Sequence, residues 1–445
     1  MAHIELSHCD HALEDGRPLL RDVNLRVGEG RKIALVGPNG IGKSTLLALL
    51  ESRLPLQAGS RGSSGRLGVM RQFIGSVRDT STVRDLLLTT SPPAVQAAAE
   101  RLDAAERAML ETGSERAGIA YAQALADWGD AGGYDEEVRW DSATLESLHL
   151  SYEQARDRRA ATLSGGEQKR LVLEALLSGP AEVLVLDEPD NSLDVPGKEW
   201  LEASIRASTK TVLFVTHDRE MIARCATSIA TLERGGAGAT LWLHGNDLES
   251  YRQARLDRNA RADEVRRRWL EEEQKLKDLV TMYKAKAAYN SDMASRLQAA
   301  RSRLERFRAE GMPEAAPMPE KVVMRLKGGR TAKRAITCEG LELSGLMHPF
   351  STEIWFGDRV AVLGSNGSGK SHFLRLLRQM DEDRVADGAV DGAPVAHSGV
   401  VRLGSRVRTG YFNQAHEHPD FVGRTLLQIL DAGAADRTGL DRGAA

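Results

Sequence analysis

Two stretches of this chain repeat one short pattern: Gly37-Pro38-Asn39-Gly40-Ile41-Gly42-Lys43-Ser44 and Gly364-Ser365-Asn366-Gly367-Ser368-Gly369-Lys370-Ser371. Both obey the spacing Gly-x-x-x-x-Gly-Lys-Ser, which calls for a tight loop between a strand and a helix. The glycines let backbone N–H groups turn toward phosphate oxygens, and the helix start adds the positive end of its dipole. Lys43 is expected to reach the β- and γ-phosphates of a nucleotide, and the Ser44 hydroxyl to coordinate Mg²⁺. Lys370 and Ser371 are their equivalents in the second copy, and Thr45 continues into the first helix. The repeat extends upstream, where Gly357-Asp358-Arg359-Val360-Ala361-Val362-Leu363-Gly364 echoes Gly30-Arg31-Lys32-Ile33-Ala34-Leu35-Val36-Gly37. The same fold therefore starts twice.

Around the first loop, Arg31 to Val36 reads as a buried strand and Thr45 to Leu50 as a helix. Ala181 to Leu186 and Thr211 to Val215 read as further strands. Strands alternating with helices predict an α/β domain with a mainly parallel sheet. From about Pro92 to Arg158 an Ala- and Glu-rich pattern predicts an inserted helical subdomain. The 445 residues leave room for two or three domains. A net charge of −3 excludes a polycation that coats nucleic acid, so any basic surface must be local. Cys9, Cys225 and Cys338 have neither metal-ligand spacing nor the numbers for a disulfide framework, which favours a reducing cytoplasm. The first residues show no basic, then apolar, leader pattern, and no run approaches 18 apolar residues, so no membrane span is expected.

Glu182-Val183-Leu184-Val185-Leu186-Asp187-Glu188 is an apolar strand ending in two carboxylates. Asp187 could hold the water shell of Mg²⁺ and Glu188 could polarise an attacking water. Taken alone, the strand reads more simply as core with a solvated acidic end. Leu163-Ser164-Gly165-Gly166-Glu167-Gln168 puts a hydroxyl and glycine amides at a helix start, another anion-binding end, where Ser164 also suits the cap. With this run the sequence resembles the ATP-binding-cassette superfamily, whose signature is Ser-Gly-Gly-Glu/Gln. The resemblance implies ATP with Mg²⁺, and a Ser164, Gly165 and Gly166 end that faces the γ-phosphate held by the other cassette. It implies that Gln72, in Gly68-Val69-Met70-Arg71-Gln72, senses Mg²⁺ and nucleotide. Ser192-Leu193-Asp194 matches the D-loop, and His217, 29 residues past Glu188, matches the switch histidine at the γ-phosphate. Cassettes usually stack adenine on an aromatic near the N-terminus; here Leu13, in His11-Ala12-Leu13, stands where that ring is expected. The second copy has a Q-loop match at Gln414, a second Mg²⁺-side residue beside Ser371.

From Leu248 to Glu310 the chain is charged and almost free of Gly and Pro. Val265, Trp269, Leu276, Val280 and Tyr283 recur at helical spacing, as do Met293, Leu297, Ala300, Leu304 and Phe307. Polar Asn290-Ser291-Asp292 separates the two sets. An antiparallel helical pair is predicted, its first helix about 34 residues and roughly 50 Å long. Gly311 to Pro319 ends it and a basic segment, Lys321 to Arg334, follows. Tyr251 to Glu310 carries 16 Lys and Arg against 10 Asp and Glu, a local bias that suits phosphate backbones. Arg266-Arg267-Arg268, Lys284, Lys286 and Arg296 are candidates for such contacts, and a solvated, salt-bridged coiled coil is the plainer alternative for any one of them.

Two cassettes around a charged helical linker resemble the ABC-F group. Tyr121, Trp128 and Gly132-Gly133-Tyr134-Asp135-Glu136 resemble that group's helical arm, and Gly245-Asn246-Asp247-Leu248-Glu249-Ser250-Tyr251 the run that opens its linker. Glu188-Pro189-Asp190-Asn191-Ser192-Leu193-Asp194 is a variant of its Glu-Pro-Thr-Asn-His-Leu-Asp, departing at Asp190 and Ser192. The resemblance implies a ribosome-bound ATPase whose linker meets rRNA and the P-site tRNA. The implied parts are a first cassette over 1–247 with its arm over 92–158, a hairpin over 248–310, a basic connector over 311–335 and the first part of a second cassette over 336–445. A translation factor and an antibiotic-resistance protector both fit, the short tip from Tyr283 to Ser295 favouring the factor. A transporter's ATP-binding subunit would leave the hairpin unexplained. No second signature, acidic strand end or switch histidine precedes Ala445. The chain alone is therefore expected to bind ATP and hydrolyse it poorly, unless first cassettes of two chains pair.

Overall fold

The computed structural model describes residues 2–72, 74, 75, 77, 79–245, 247–287, 293–313, 315, 316, 333–380, 394–405, 407, 409–411, 423–425, 427 and 428. They fall into two compact units, Met1–Val323 and Met324–Ala445. In the first unit, β1 (His3–Ala12), β2 (Pro18–Val27), β3 (Lys32–Val36), β4 (Ala58–Ser64), β5 (Leu67–Met70), β6 (Val183–Asp187), β7 (Thr211–Val215), β8 (Ser228–Gly235) and β9 (Gly238–His244) form one sheet. Its order is β4-β1-β2-β9-β8-β3-β7-β6-β5. The helices of this unit are α1 (Lys43–Leu50), α2 (Val83–Leu88), α3 (Pro93–Thr112), α4 (Glu115–Asp130), α5 (Gly133–Leu148), α6 (Tyr152–Ala155), α7 (Gly165–Ser178), α8 (Val195–Ala207), α9 (Arg219–Cys225), α10 (Leu248–Ala287) and α11 (Met293–Ala309).

Only part of the sheet is parallel. β8, β3, β7, β6 and β5 run side by side in one direction, whereas β1 is antiparallel to both β2 and β4, and β8 to β9. The expected mainly parallel sheet thus covers the half from β8 to β5. Every residue of β6 and β7 is buried, which is why they read as unbroken apolar runs. Period-two alternation then divides them. Val183, Val185, Leu213 and Val215 join Leu46 and Leu49 of α1 in one core. Leu184, Leu186, Val212 and Phe214 join Val172 and Leu173 of α7, Leu201 of α8 and Ile222 of α9 in the other. Each large apolar side chain so buried contributes roughly 1.5–3 kcal/mol.

The inserted helices α3 to α6 occupy the predicted 92–158 stretch, and around Trp128, Trp140 and Tyr152 they share a core with Val83 and Leu87 of α2 and Leu171 and Ala175 of α7. The Trp128 and Trp140 rings lie 6.2 Å apart, and those of Trp140 and Tyr152 5.4 Å, distances at which tilted aromatic pairs attract.

The hairpin starts directly from the cassette. α10 has 40 residues rather than about 34, continuing past Tyr283 to Ala287, and its first turns pack on β8 and β9. Tyr251 stacks on Trp242 at 5.4 Å and its hydroxyl meets Thr231 at 3.0 Å. Further on, Trp269 stacks on Phe307 at 5.0 Å, and Arg308 reaches Glu273 at 2.8 Å. With Arg266 donating to the Pro313 carbonyl at 2.9 Å, the pairs run antiparallel. Val265, expected on the covered face, is 53% exposed. The expected polar break at Asn290-Ser291-Asp292 and the basic stretch Lys321 to Ala332 lie outside the described residues.

The second unit contains β10 (Arg334–Leu343), β11 (Met347–Trp355), α12 (Lys370–Gln379) and β12 (His397–Leu403), with β10 antiparallel to both other strands. This repeats the β2-β1-β4 arrangement of the first. The strand expected at Val360 to Leu363 is absent: the backbone there is irregular and Leu363 is 88% exposed. No described strand lies beside it, so strand geometry would satisfy none of its backbone groups.

Candidate functional site

The loop Gly37 to Ser44 leaves β3 at the centre of the parallel sheet and opens α1. Gly40 and Gly42 have φ of 73° and 109°, values that a side chain would oppose. A Cβ on Gly37 would come within 2.8 Å of the Leu232 carbonyl. Gly42 caps α1 without any side-chain bond, so the first N–H groups of that helix stay open to an anion. Lys43 folds back over the loop, its Nζ donating to the carbonyls of Gly37 at 2.8 Å and Pro38 at 3.1 Å. Burial lowers its pKa while Glu188 and Asp187 oppose that shift. A phosphate chain, with Asn39, Ile41 and Thr45 completing the loop, would give this ammonium a better partner. Lys370 makes the same fold-back onto Gly364 at 2.8 Å and Ser365 at 2.7 Å, with Gly369 capping α12 at φ 88°.

Across from the first loop, β6 and β7 deliver the acidic and imidazole groups. Ser44 Oγ donates to Asp187 Oδ2 at 3.3 Å, a pair of hard oxygen donors suited to Mg²⁺. Gln72 Nε2 donates to Glu188 Oε2 at 3.0 Å, and Asn191 Nδ2 to the same oxygen at 2.6 Å. The other oxygen lies 3.9 Å from His217 Nε2. The backbone turns sharply here, with Glu188 at φ 51° and its N–H donating to the Val215 carbonyl at 3.0 Å. His217 is set by the next residue: Asp218 caps α9 and accepts from Lys198 at 2.7 Å. A carboxylate aimed at a phosphate loop from this position can take a proton from water, and an imidazole beside it can donate to the phosphate.

Burial, then the neighbouring Glu188, raise the pKa of Asp187 above the usual carboxylate value. A raised carboxyl keeps its proton to higher pH, and that proton competes with metal. Mg²⁺ affinity should therefore fall on acidification with a midpoint above the ordinary Asp value of about 3.9. Calorimetric titration across the acid range checks this, with Asp187→Asn as control; a midpoint at or below the ordinary value contradicts it.

The structure gathers Lys43, Ser44, Gln72, Asp187, Glu188 and His217 at one end of the sheet. Ser164, Gly165 and Gly166 open α7 nearby, with a full capping box: Glu167 N donates to Ser164 Oγ at 3.2 Å and Ser164 N to Glu167 Oε2 at 2.7 Å. A Cβ on Gly165 would lie 2.5 Å from the Gly75 carbonyl, so the signature start touches the segment that carries Gln72. Gly364, Ser365, Asn366, Gly367, Ser368, Gly369, Lys370 and Ser371 belong to the other unit, and Gln414 lies outside the described residues. Leu13 sits in the turn between β1 and β2, 39% exposed. Asn191 was quoted in the sequence only as part of a motif; its bond to Glu188 gives it a place in the site. A cavity of about 450 Å³ opens beside His217 and Pro38, and its far wall is Tyr251, Arg252 and Arg255 of α10.

The ABC transporter family model (ABC_tran) matches residues 20–191. Over 99% of its length the chain is 57% identical to a protein of Mycobacteroides abscessus named "Antibiotic resistance protein", covering 81% of it. Over 82% of its length it is 31% identical to the "Tylosin resistance ATP-binding protein TlrC" of Streptomyces fradiae, covering 70% of it. The human "ATP-binding cassette sub-family F member 3" is 28% identical over 93% of this chain and 55% of its own. Among the described residues no helix is long and apolar enough to cross a membrane.

Proposed function

The chain belongs to the ABC-F family of ATP-binding-cassette ATPases, and on that premise we propose that it acts on the ribosome in antibiotic resistance. The observation that carries this reading is the 57% identity, along 99% of the chain, to a protein named for antibiotic resistance. The relative named for resistance to tylosin, a macrolide, points the same way. Both weigh more than the short tip that favours a translation factor.

In this reading the loop amides from Gly37 to Ser44 and the Lys43 ammonium bind the β- and γ-phosphates of ATP. Ser44 and Asp187, with Gln72, would hold Mg²⁺, which when bound would neutralise charge on the phosphate oxygens. Glu188 orients the attacking water and takes its proton, and His217 faces the γ-phosphate. Ser164, Gly165 and Gly166 serve an ATP bound on a partner cassette. The cavity beside His217 puts the base of α10 within reach of the hydrolysis site. The basic hairpin that α10 begins would contact rRNA and the P-site tRNA in the cytoplasm.

The test has two arms. Expression in a drug-sensitive host should raise tolerance to macrolides, lincosamides or phenicols, and Lys43→Ala should abolish the gain. With ATP, a Glu188→Gln protein should sediment with ribosomes. Ribosome binding without drug tolerance would favour the translation factor, the second reading, which the short sequence tip from Tyr283 to Ser295 supports. A protein that sediments with membranes and not with ribosomes would sink the ribosomal reading.

A further inference from the structure

Lys169 lies on the first turns of the signature helix α7 and is only 2% exposed. A lysine so buried must find acceptors or surrender its proton. Its stem runs beside Gly75: a Cβ there would sit 3.1 Å from both its Cγ and its Cε. Its Nζ then donates to the main-chain carbonyl of Glu188 at 2.6 Å. Burial depresses Lys169 to about 8, with Asp190, Glu188 and Asp187 resisting the shift. Asp190 is itself 5% exposed, and its Oδ1 has no hydrogen-bond partner among the described residues. Asp190, one of the two residues at which the chain departs from the ABC-F motif, thus supplies the negative charge that acts most on this ammonium.

The acceptor matters as much as the donor. Glu188 has left-handed backbone at φ 51°, a conformation that a residue with a Cβ keeps only when its surroundings impose it. Its N–H is fixed by Val215 of β7 and its carboxylate by Gln72 and Asn191. Its carbonyl is fixed by Lys169 and, at 3.4 Å, by the Asn191 N–H. Lys169 is the one of these that comes from the signature helix.

We propose that Lys169 is a positioning residue for ATP hydrolysis: its ammonium pins the strained Glu188 turn and so ties the aim of that carboxylate to the start of α7 and to Gly75. It touches no reacting atom. The proposal rests on the role given to Glu188, and not on the ribosomal reading.

Steady-state ATPase assays on K169M, K169R and K169M/D190N, each alone and in an E188Q background, test it. K169M should lower kcat by roughly ten- to a hundredfold, the scale of an ångström misplacement, with the KM for ATP within about twofold. K169R should recover part of the loss, since it can still donate to the carbonyl. K169M leaves Asp190 buried without its cation, which threatens folding; K169M/D190N removes that charge, so it should fold and bind ATP while kcat stays low. On E188Q, K169M should add nothing, because residues that act through one another are not additive. A kcat for folded K169M/D190N within about twofold of the parent would overturn the proposal, as would a K169M loss that adds fully to that of E188Q. An E188Q protein with parental turnover would remove the Glu188 assignment first, and this proposal with it.

Discussion

Replacing Glu188 by Gln should lower ATP turnover by about 10²- to 10⁴-fold, the usual weight of a positioned general base. That corresponds to about 3–5 kcal/mol of lost transition-state stabilisation. The geometry makes the substitution clean. Gln keeps the length of the side chain, and its amide oxygen can still accept from Gln72 and Asn191, which now bond Oε2 at 3.0 and 2.6 Å. What disappears is basicity, together with one negative charge near the phosphates. ATP affinity should hold or rise, because Lys43 and the loop amides are untouched and a repulsive carboxylate is gone. Single-turnover hydrolysis and equilibrium binding of ATP separate the two effects. A fall in affinity as large as the fall in rate would show that Glu188 binds rather than activates.

The second large effect is one of packing, and it falls on neighbouring glycines that look alike in sequence. Gly133 opens α5, and a Cβ there would lie 2.0 Å from Trp128 Cε2 and 2.1 Å from Cδ2. Trp128 is 1% exposed and packs against Trp140, so the ring has no space into which to retreat. Gly133→Ala should destabilise the inserted helices by about 3 kcal/mol, the upper end of overpacking penalties. Gly132 is different: φ is 85° and a Cβ would meet nothing within 4 Å. Gly132→Ala should cost only the left-handed strain, about 1 kcal/mol. Hydrogen exchange of α4 and α5, with tryptophan emission, measures both locally, which avoids assigning one unfolding free energy to a chain of several cores. If the two variants exchange alike, close approach to Trp128 is not what the second glycine serves.

These glycines show what the sequence could and could not disclose. The Gly132-Gly133 pair was legible as a marker of the helical arm, but only the position of Trp128 separates a turn glycine from a contact glycine. The phosphate loop, Asp187, Glu188 and His217 were legible because each sits at the end of a buried strand, where a short local pattern fixes both backbone and role. Lys169 and the Asn191 bond were not, since their partners lie 19 and 3 residues away around a turn whose left-handed shape no motif announces. The antiparallel half of the sheet escaped for a related reason: β1 pairs with β4 across some 50 residues, and alternation along one strand does not name its neighbour. The expected strand at Val360 to Leu363 marks the opposite error. Its residues match β3, but β3 is a strand because β7 and β8 flank it.

One arrangement at the base of the hairpin has a mechanical consequence. Glu233 of β8, 3% exposed, receives both Arg255, at 3.2 Å, and Arg258, and Arg258 also lies 5.0 Å from the Trp242 ring. Freeing both arginines would strand a buried carboxylate, at several kcal/mol, so the first turns of α10 move with the sheet or not at all. From Arg258 the helix runs on about 44 Å at 1.5 Å per residue. A tilt of the foot by about 5° then carries the far end roughly 4 Å. A shift of an ångström or less beside His217 that tilted this foot would be geared up at the far end of α10, by a gain that helix length sets.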